Sequence, residues 1–200
     1  MFTHMTRLSL PDSIPLSEKQ IIGNALGMRR IPAYMMSLLY LLKENFRELA
    51  EMENFGILYV SHFGAAEQNA RYLYNLLDYP ADQATPSVFS NSVFNAPAAY
   101  ISRFFHSHGP TLSIHGFRKE ISSSLLTAEA WLQTGFCSDI LIVFADEDCD
   151  TTQILKTHCR TRLFIPAQIM TVSKHHFTGA AAEEIAASEL VNQLERSFQK

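Results

Sequence analysis

The chain has 200 residues, which is enough for one well-packed hydrophobic core or at most two small ones. With 47% hydrophobic residues, 18% charged residues and a net charge of −4, it lacks the basic face that a nucleic-acid-binding protein needs. The N-terminus shows no secretory-signal pattern, and the longest apolar stretch is too short for a bilayer. Three irregularly spaced cysteines suggest no disulfide framework, so we expect a cytoplasmic protein with reduced thiols.

The first part of the chain predicts an arm followed by two helices. Residues 1–16 carry two prolines and indicate an irregular or extended arm. Ser17 is a candidate cap for a short helix that ends at Gly27. A longer helix is predicted from Pro32 to Met52, because apolar residues recur there at spacings of three and four.

The middle of the chain alternates between strand and helix patterns. Residues 56–61 form an almost continuous apolar run, which is typical of a central strand covered on both faces. Residues 64–79 predict a helix, and its expected buried face comprises Ala66, Ala70, Leu73 and Leu77. Residues 87–109 are predicted to be mostly helical and to end at a Gly-Pro pair, after which residues 111–114 predict a second buried strand.

The last part continues this alternation. Ser122–Ser124 are expected to begin a helix that stops at Gly135. Residues 139–147 are the clearest buried strand, and residues 162–172 predict one or two more strands, bent at a proline. Residues 180–200 predict an amphipathic helix with acidic residues early, where the helix dipole favours them.

Strands that alternate with helices predict the α/β class, with a layered mixed sheet of about five strands covered by helices. We divide the chain into an N-terminal arm with a short helix, residues 1–28, and one α/β domain, residues 29–200. The domain ends in the predicted amphipathic helix. No repeat and no low-complexity segment interrupts it.

Cysteines and serines do not by themselves indicate a catalytic site. Cys149 lies in the acidic run DEDCD, which would raise the pKa of its thiol and blunt its nucleophilicity. Cys137 and Cys159 are interpreted as structural or incidental thiols. The run Ser122–Ser124 is explained by helix capping, since a catalytic serine also needs a base and an oxyanion hole.

Histidines, acidic residues and glycines are the other residue types that could bind a ligand. His106, His108 and His115 lie within ten positions, but no cysteine or carboxylate nearby completes a metal-ligand set, so we expect no metal. The segment DEDCDTTQ fits no calcium-loop register and is interpreted as a solvated loop. No glycine pattern for phosphate binding occurs, and we expect no cofactor.

Several ordered motifs between residues 29 and 172 together carry a resemblance. They are FSNSVFNAPA at residues 89–98, a Gly-Pro-Thr corner, a serine-rich helix start and the strand DILIVFADE. This order resembles the N-terminal half of β-ketoacyl synthases, which have the thiolase fold. It is most similar to the short chain-length-factor-like proteins encoded within aryl-polyene and similar fatty-acid or polyketide clusters. The residues that match are Ser92, Asn95, Ala96, Gly109, Pro110, Thr111, Ser122, Ser123, Ser124, Gly135, Asp139 and Glu147.

The departures from the family pattern imply a degenerate site. Alignment on the Gly-Pro corner puts Arg118 where a ketosynthase has its nucleophilic cysteine, and alignment on the serine run puts Ile121 there. Neither side chain can form a thioester. Phe94 stands where the family usually has a histidine. Full ketosynthases also take two catalytic residues from a C-terminal half, which we expect this chain to lack, so the resemblance implies no catalytic residue here.

Three functions remain open at this point. The first is a non-catalytic, chain-length-factor-like subunit of acyl-carrier-protein-dependent fatty-acid or aryl-polyene-type polyketide biosynthesis. The resemblance implies that it dimerises, with itself or with a true ketosynthase, near the strand at residues 111–114. The second is an acyl-thioester hydrolase or acyltransferase that uses one of Ser122–Ser124 or a histidine from residues 106–115. The third is a module that binds an acyl chain or acyl carrier protein. The first is favoured, and no nucleic-acid or membrane partner is expected.

Overall fold

The computed structural model describes residues 2–52, 54–78, 86–116, 119–161, 163–165, 167–173 and 196. The strands of this part are β1 Phe2–Leu8, β2 Gly56–Ser61, β3 Thr111–His115, β4 Asp139–Phe144 and β5 Ala167–Ser173. Its helices are α1 Leu16–Leu26, α2 Ala33–Asn45, α3 Ala66–Asp78, α4 Pro86–Ser92, α5 Ala96–Phe104, α6 Glu120–Thr134 and α7 Asp150–Cys159. A 3-10 turn, Arg47–Glu51, follows α2.

The strands form one mixed sheet in the order β1-β5-β4-β2-β3. β2 pairs in parallel with both β3 and β4, while β5 is antiparallel to β4 and β1 is antiparallel to β5. The predicted α/β class with about five strands is therefore confirmed. Because β2, β3 and β4 are parallel, their carboxyl ends meet at one edge of the sheet.

The sheet is covered on both faces by helices. Side chains of β2 alternate between the two cores, with Ile57 and Tyr59 in one and Leu58 and Val60 in the other. The first core is built with α1, α2 and α5, and the second with α6. Burial on both sides explains why the sequence of β2 is almost continuously apolar.

The N-terminal arm is part of the sheet, which the sequence did not indicate. Residues 2–8 form β1, whose backbone pairs with β5 from Leu8, opposite Ala167, to Phe2, opposite Val172. The segment has no strong alternating pattern of its own. Its conformation is fixed by backbone hydrogen bonds to a strand that lies far away in sequence.

Helix ends differ from the predicted ones. α1 begins after Pro15, and Ser17 forms no cap. α6 begins at Glu120 after Lys119, so the expected capping role of the serine run is wrong. The long helix predicted over residues 87–109 is two helices, α4 and α5, because the chain turns before Ala96.

Two predicted buried surfaces are exposed. Among the described strands β3 lies at the edge with one neighbour, and its Leu112 is 42% exposed, so the prediction of a buried strand is wrong. On α3, Leu73 and Leu77 are exposed although they lie on the apolar face of the helix. Periodicity indicates which residues share a face, but it does not determine whether another element covers that face. The terminal helix and the proline bend expected near residue 166 lie outside the described residues.

His106 has a backbone conformation that normally favours glycine. Its φ is +53°, and the next residue, Ser107, donates its N–H to the carbonyl of Ser102 across the end of α5. This is the pattern in which a left-handed residue terminates a helix. We expect His106→Gly to raise the free energy of unfolding by about 0.5–1 kcal/mol, because relief of left-handed strain exceeds the entropy cost of glycine. Urea denaturation followed by circular dichroism would measure it.

The matched control is His108→Gly. His108 is also exposed but has no positive φ, so glycine there brings only its entropy cost. We expect that variant to lose stability slightly. Equal changes in the two variants would show that the conformation of His106 stores no strain.

Candidate functional site

Polar side chains converge where the parallel strands end. Ser61 is the last residue of β2, and His62 follows it. Asp146 lies two residues beyond the end of β4, and Glu120 is the first residue of α6. We call these four residues the corner cluster. They occupy the edge of the sheet at which open α/β folds commonly place functional residues.

Asp146 is the centre of the cluster and is fully buried. Its Oδ1 accepts hydrogen bonds from the Ser61 hydroxyl at 2.7 Å and from the backbone N–H of His62 at 2.8 Å. Its Oδ2 lies 2.7 Å from the Nδ1 of His62 and accepts the backbone N–H of Phe164 at 2.8 Å. Burial alone would raise the pKa of Asp146, but the bonds and charge of His62 and the Phe164 N–H lower it.

His62 lies between two carboxylates. Its Nε2 is 3.4 Å from the Oε1 of Glu120, on the side of the ring opposite Asp146. Burial alone would lower the pKa of His62. The hydrogen bonds and charges of Asp146 and Glu120 outweigh burial and raise the pKa to about 9. The imidazole is therefore a cation at neutral pH, and it ties the start of α6 to the ends of β2 and β4.

The protonation of His62 makes stability depend on pH. Its pKa in the folded state lies above the usual 6.5, so the stabilisation is complete below pH 6.5 and is lost as the pH rises through about 9. We expect the free energy of unfolding to fall over this window in the wild type. His62→Asn should remove most of that slope. Urea denaturation at pH 6, 7.5 and 9 would measure both slopes.

His158 provides the control for this measurement. It is exposed on α7, so His158→Asn should leave the slope as in the wild type. If His62→Asn kept the full pH dependence of the free energy of unfolding between pH 6.5 and 9, the pH dependence would not come from protonation of His62.

A chain of buried hydroxyl groups supports the loop that carries Asp146. The Tyr34 and Tyr59 hydroxyls are 2.7 Å apart, and the Tyr59 hydroxyl donates to the carbonyl of Ala145 at 2.9 Å. Burial raises the pKa of both phenols, so both remain neutral donors. This support fixes the backbone directly before Asp146.

His115 lies at the end of β3, beside the corner cluster. Its ring stacks on Phe94 with centroids 4.6 Å apart. Burial lowers the pKa of His115, and the nearby backbone of Ser61 and Phe94 offsets this only in part. Phe94, which stands where the resemblance implies a histidine, thus packs against the neutral imidazole of His115.

The acidic run after β4 is only partly solvated. Asp146 and Glu147 are buried, which corrects the expectation of a solvated loop. Glu147 accepts the backbone N–H of Glu67 at 2.9 Å and so caps α3 from another part of the chain. Burial raises the pKa of Glu147 to about 7, and the bond from Glu67 opposes this in part.

The Gly-Pro corner is a site of close backbone packing. A Cβ at Gly109 would lie 2.2 Å from the carbonyl oxygen of Phe55, so only glycine fits there. The carbonyl of Pro110 accepts the N–H of Ile57 at 2.8 Å and starts the pairing of β3 with β2. Thr111 is exposed at the first position of that edge strand. Gly109, Pro110 and Thr111 thus set the position of β3 relative to β2.

The serine run supplies no activated nucleophile. The hydroxyls of Ser122 and Ser124 donate to the carbonyls of Lys119 and Ile121, three residues earlier, at 3.0 and 2.7 Å. Ser124 is fully buried, and the backbone N–H of Ser123 bonds to the carbonyl of Lys119. Ile121 points into the core and is 8% exposed, whereas Arg118 lies outside the described residues.

The remaining motif residues shape the helices and the ends of the strands. Ser92 is buried at the end of α4, Asn95 precedes α5, and Ala96 is buried in its first turn. Gly135 ends α6 with a φ of +74°, as its stop role predicted. Asp139, at the start of β4, accepts a hydrogen bond from the neighbouring Ser138 hydroxyl.

None of the three thiols belongs to the corner cluster. Cys137 is buried against Gly56 at the opposite end of β2. Cys149 directly precedes α7, and Cys159 is the last residue of that helix. In the part of the chain that the structure describes, no three metal-ligating side chains are grouped to hold an ion. No helix in those residues has the length and apolarity that a bilayer crossing requires.

Comparison with known proteins identifies the family. The family described as "Beta-ketoacyl synthase, N-terminal domain" matches residues 40–196. The chain belongs to this family. No curated protein sequence matches it closely enough to add a function.

Solved structures share the fold of this ketosynthase-family chain. A complex of a ketosynthase with its chain length factor from Xenorhabdus doucetiae matches with a TM-score of 0.60 and 15% identity, over 90% of this chain and 79% of that one. The ishigamide ketosynthase/chain length factor matches with a TM-score of 0.53 and 17% identity, over 66% of this chain and 38% of its own length. A β-ketoacyl synthase from Burkholderia phymatum matches with a TM-score of 0.55 and 12% identity, over 84% of this chain and 47% of that chain.

Sequence reasoning missed His62 and Asp146. The motifs it used mark strand and helix starts: residues 109–111 lead into β3 and Asp139 begins β4, so these strand starts lie at the edge of the sheet opposite His62 and Asp146. His62 stands alone after a strand, with no neighbouring partner in sequence. A signal was nevertheless present, because a polar residue after each of two predicted parallel strands is expected at the same edge.

Proposed function

We propose that this chain is a non-catalytic, chain-length-factor-like ketosynthase subunit. It acts in acyl-carrier-protein-dependent fatty-acid or polyketide biosynthesis of the aryl-polyene type. It works by pairing with a catalytic ketosynthase, and we place it in the cytoplasm, where its three free thiols would stay reduced. The family match and the ketosynthase and chain-length-factor neighbours support a ketosynthase-like subunit.

The corner cluster is the observation that carries the proposal. At the carboxyl ends of the parallel strands, where the family resemblance implies a nucleophilic thiol, the described residues instead form a buried ion cluster around His62. Both carboxylates contact the imidazole, while Cys149, the cysteine that follows β4, bonds to Thr152. A buried cation held between two anions stabilises the corner, and it has no free lone pair with which to activate a nucleophile.

The position of β3 supports the pairing. An unprotected edge strand presents a row of backbone donors and acceptors that another strand can extend. β3 ends the described sheet, and its Leu112 is 42% exposed. An exposed apolar side chain on an edge strand favours a partner subunit.

The hydrolase or acyltransferase alternative has weaker support. It needs a serine hydroxyl bonded to a base, but Ser122 and Ser124 bond to backbone carbonyls three residues earlier. The acyl-binding alternative needs an apolar pocket at the corner, and the cavity lined by Tyr34, Asp146 and Glu147 is acidic in part. Neither alternative explains the open sheet edge.

Coexpression with candidate ketosynthases from the same genome tests the proposal. We expect one of them to co-elute with this chain, at the mass of a one-to-one complex by light scattering. The chain alone should not turn over acyl-thioesters of short, medium or long chain length. Ser122→Ala and Ser124→Ala should not change that result.

Two outcomes would overturn the proposal. One is the absence of a complex with any ketosynthase of that genome. The other is acyl-thioester turnover by the chain alone that either serine substitution abolishes.

A further inference from the structure

The edge formed by α4, α5 and β3 is free of acidic residues. The chain has 20 Asp and Glu residues, yet none lies between residues 83 and 119. The same stretch contains Arg103, Lys119 and several histidines. The edge is therefore positive in a chain whose net charge is −4.

Donor groups line a groove along this edge. The groove lies between α5 and β3, has a volume of about 340 Å³, and is lined in part by Asn95, Arg103 and Ser113. The Ser113 hydroxyl is buried and forms no hydrogen bond with another described residue. Arg103 is exposed, and within the described ranges no carboxylate pairs with it. The side chain of Asn95 does not cap its helix.

We propose that this groove receives a carboxylate side chain from the edge strand of a ketosynthase-fold partner, and that it selects this partner over a second copy. The proposal rests on the proposed function, because it assumes pairing at β3. Arg103 supplies the charge, and Ser113 supplies a hydroxyl donor that lacks an acceptor. A buried donor is costly when it is unsatisfied, so an acceptor from a partner would stabilise the complex.

A second copy of this chain cannot supply that group. In an antiparallel pairing of two β3 strands, the facing segments would come from residues 105–116, which contain no Asp or Glu. The two copies would instead bring their Arg103 residues to the same edge. Like charges at an interface disfavour a partner, and complementary charges favour one. The groove thus favours a heterodimer.

The test measures affinity for a ketosynthase that co-elutes with the wild-type chain. We expect Arg103→Glu to raise the Kd by about tenfold or more, and Arg103→Gln to raise it less. Raising NaCl from 50 to 500 mM should weaken wild-type binding and should affect Arg103→Gln less. Arg71→Glu, an exposed change on α3, is the matched control and should stay within about twofold of the wild type.

A charge swap identifies the partner's contribution. Replacing the partner carboxylate that faces β3 with lysine should weaken binding to the wild type and restore binding to Arg103→Glu. Circular dichroism would verify that each variant is folded. If no ketosynthase binds the wild type, the proposed function fails. If one binds and Arg103→Glu binds equally well, only the present proposal fails. A wild-type homodimer at micromolar concentration that Arg103→Glu does not strengthen would also overturn it.

Discussion

Asp146→Asn is expected to lower the free energy of unfolding by about 3–5 kcal/mol. The carboxylate is fully buried and takes hydrogen bonds on both oxygens, from Ser61, His62 and Phe164. An amide nitrogen in place of one oxygen would face donors and accept none of them. It would also remove the nearer of the two carboxylates that pair with the buried His62 cation, at 2.7 Å against 3.4 Å for Glu120. Urea denaturation at pH 7, followed by circular dichroism, gives the change.

Asp148→Asn is the matched control for this substitution. Asp148 is exposed two residues further on and accepts a hydrogen bond only from Gln153 among the described contacts. Asp148→Asn should lower the free energy of unfolding by no more than about 0.5 kcal/mol. A loss below about 1 kcal/mol for Asp146→Asn would show that the cluster contributes little to stability.

Gly109→Ala is expected to lower the free energy of unfolding by about 3 kcal/mol. The added Cβ would lie 2.2 Å from the Phe55 carbonyl oxygen and 2.6 Å from its carbon. Both are backbone atoms next to β2, so they cannot move aside as a flexible side chain could. The strand corner would have to shift, and β3 would lose its alignment with β2. Thermal and urea denaturation would report the loss of stability.

Gly116→Ala tests whether the effect comes from this contact and not from glycine in general. A Cβ at Gly116 would lie 3.7 Å from the Glu120 side chain, which is an ordinary contact. We expect a change within about 1 kcal/mol for that variant. Comparable losses at both glycines would contradict the assignment of a special packing role to Gly109.

Much of the fold could be predicted from the sequence, because the signals are local. The apolar runs of β2 and β4 indicate strands buried on both faces, and Gly27 and Gly135 end their helices with the left-handed conformation that glycine favours. The order of elements then predicts the α/β class. The family motifs include the Gly-Pro corner, because close backbone packing at Gly109 admits only glycine and so requires that residue in the sequence.

The candidate site and the binding surfaces were decided by tertiary structure. His62, Glu120 and Asp146 are far apart in sequence, and their contacts exist only because parallel strands end at one edge. Periodicity placed Leu77 on an apolar face but gave no sign that Leu77 is 81% exposed. A side chain's own pattern determines its local conformation and its face. Its partners and its burial depend on which distant elements the fold brings together.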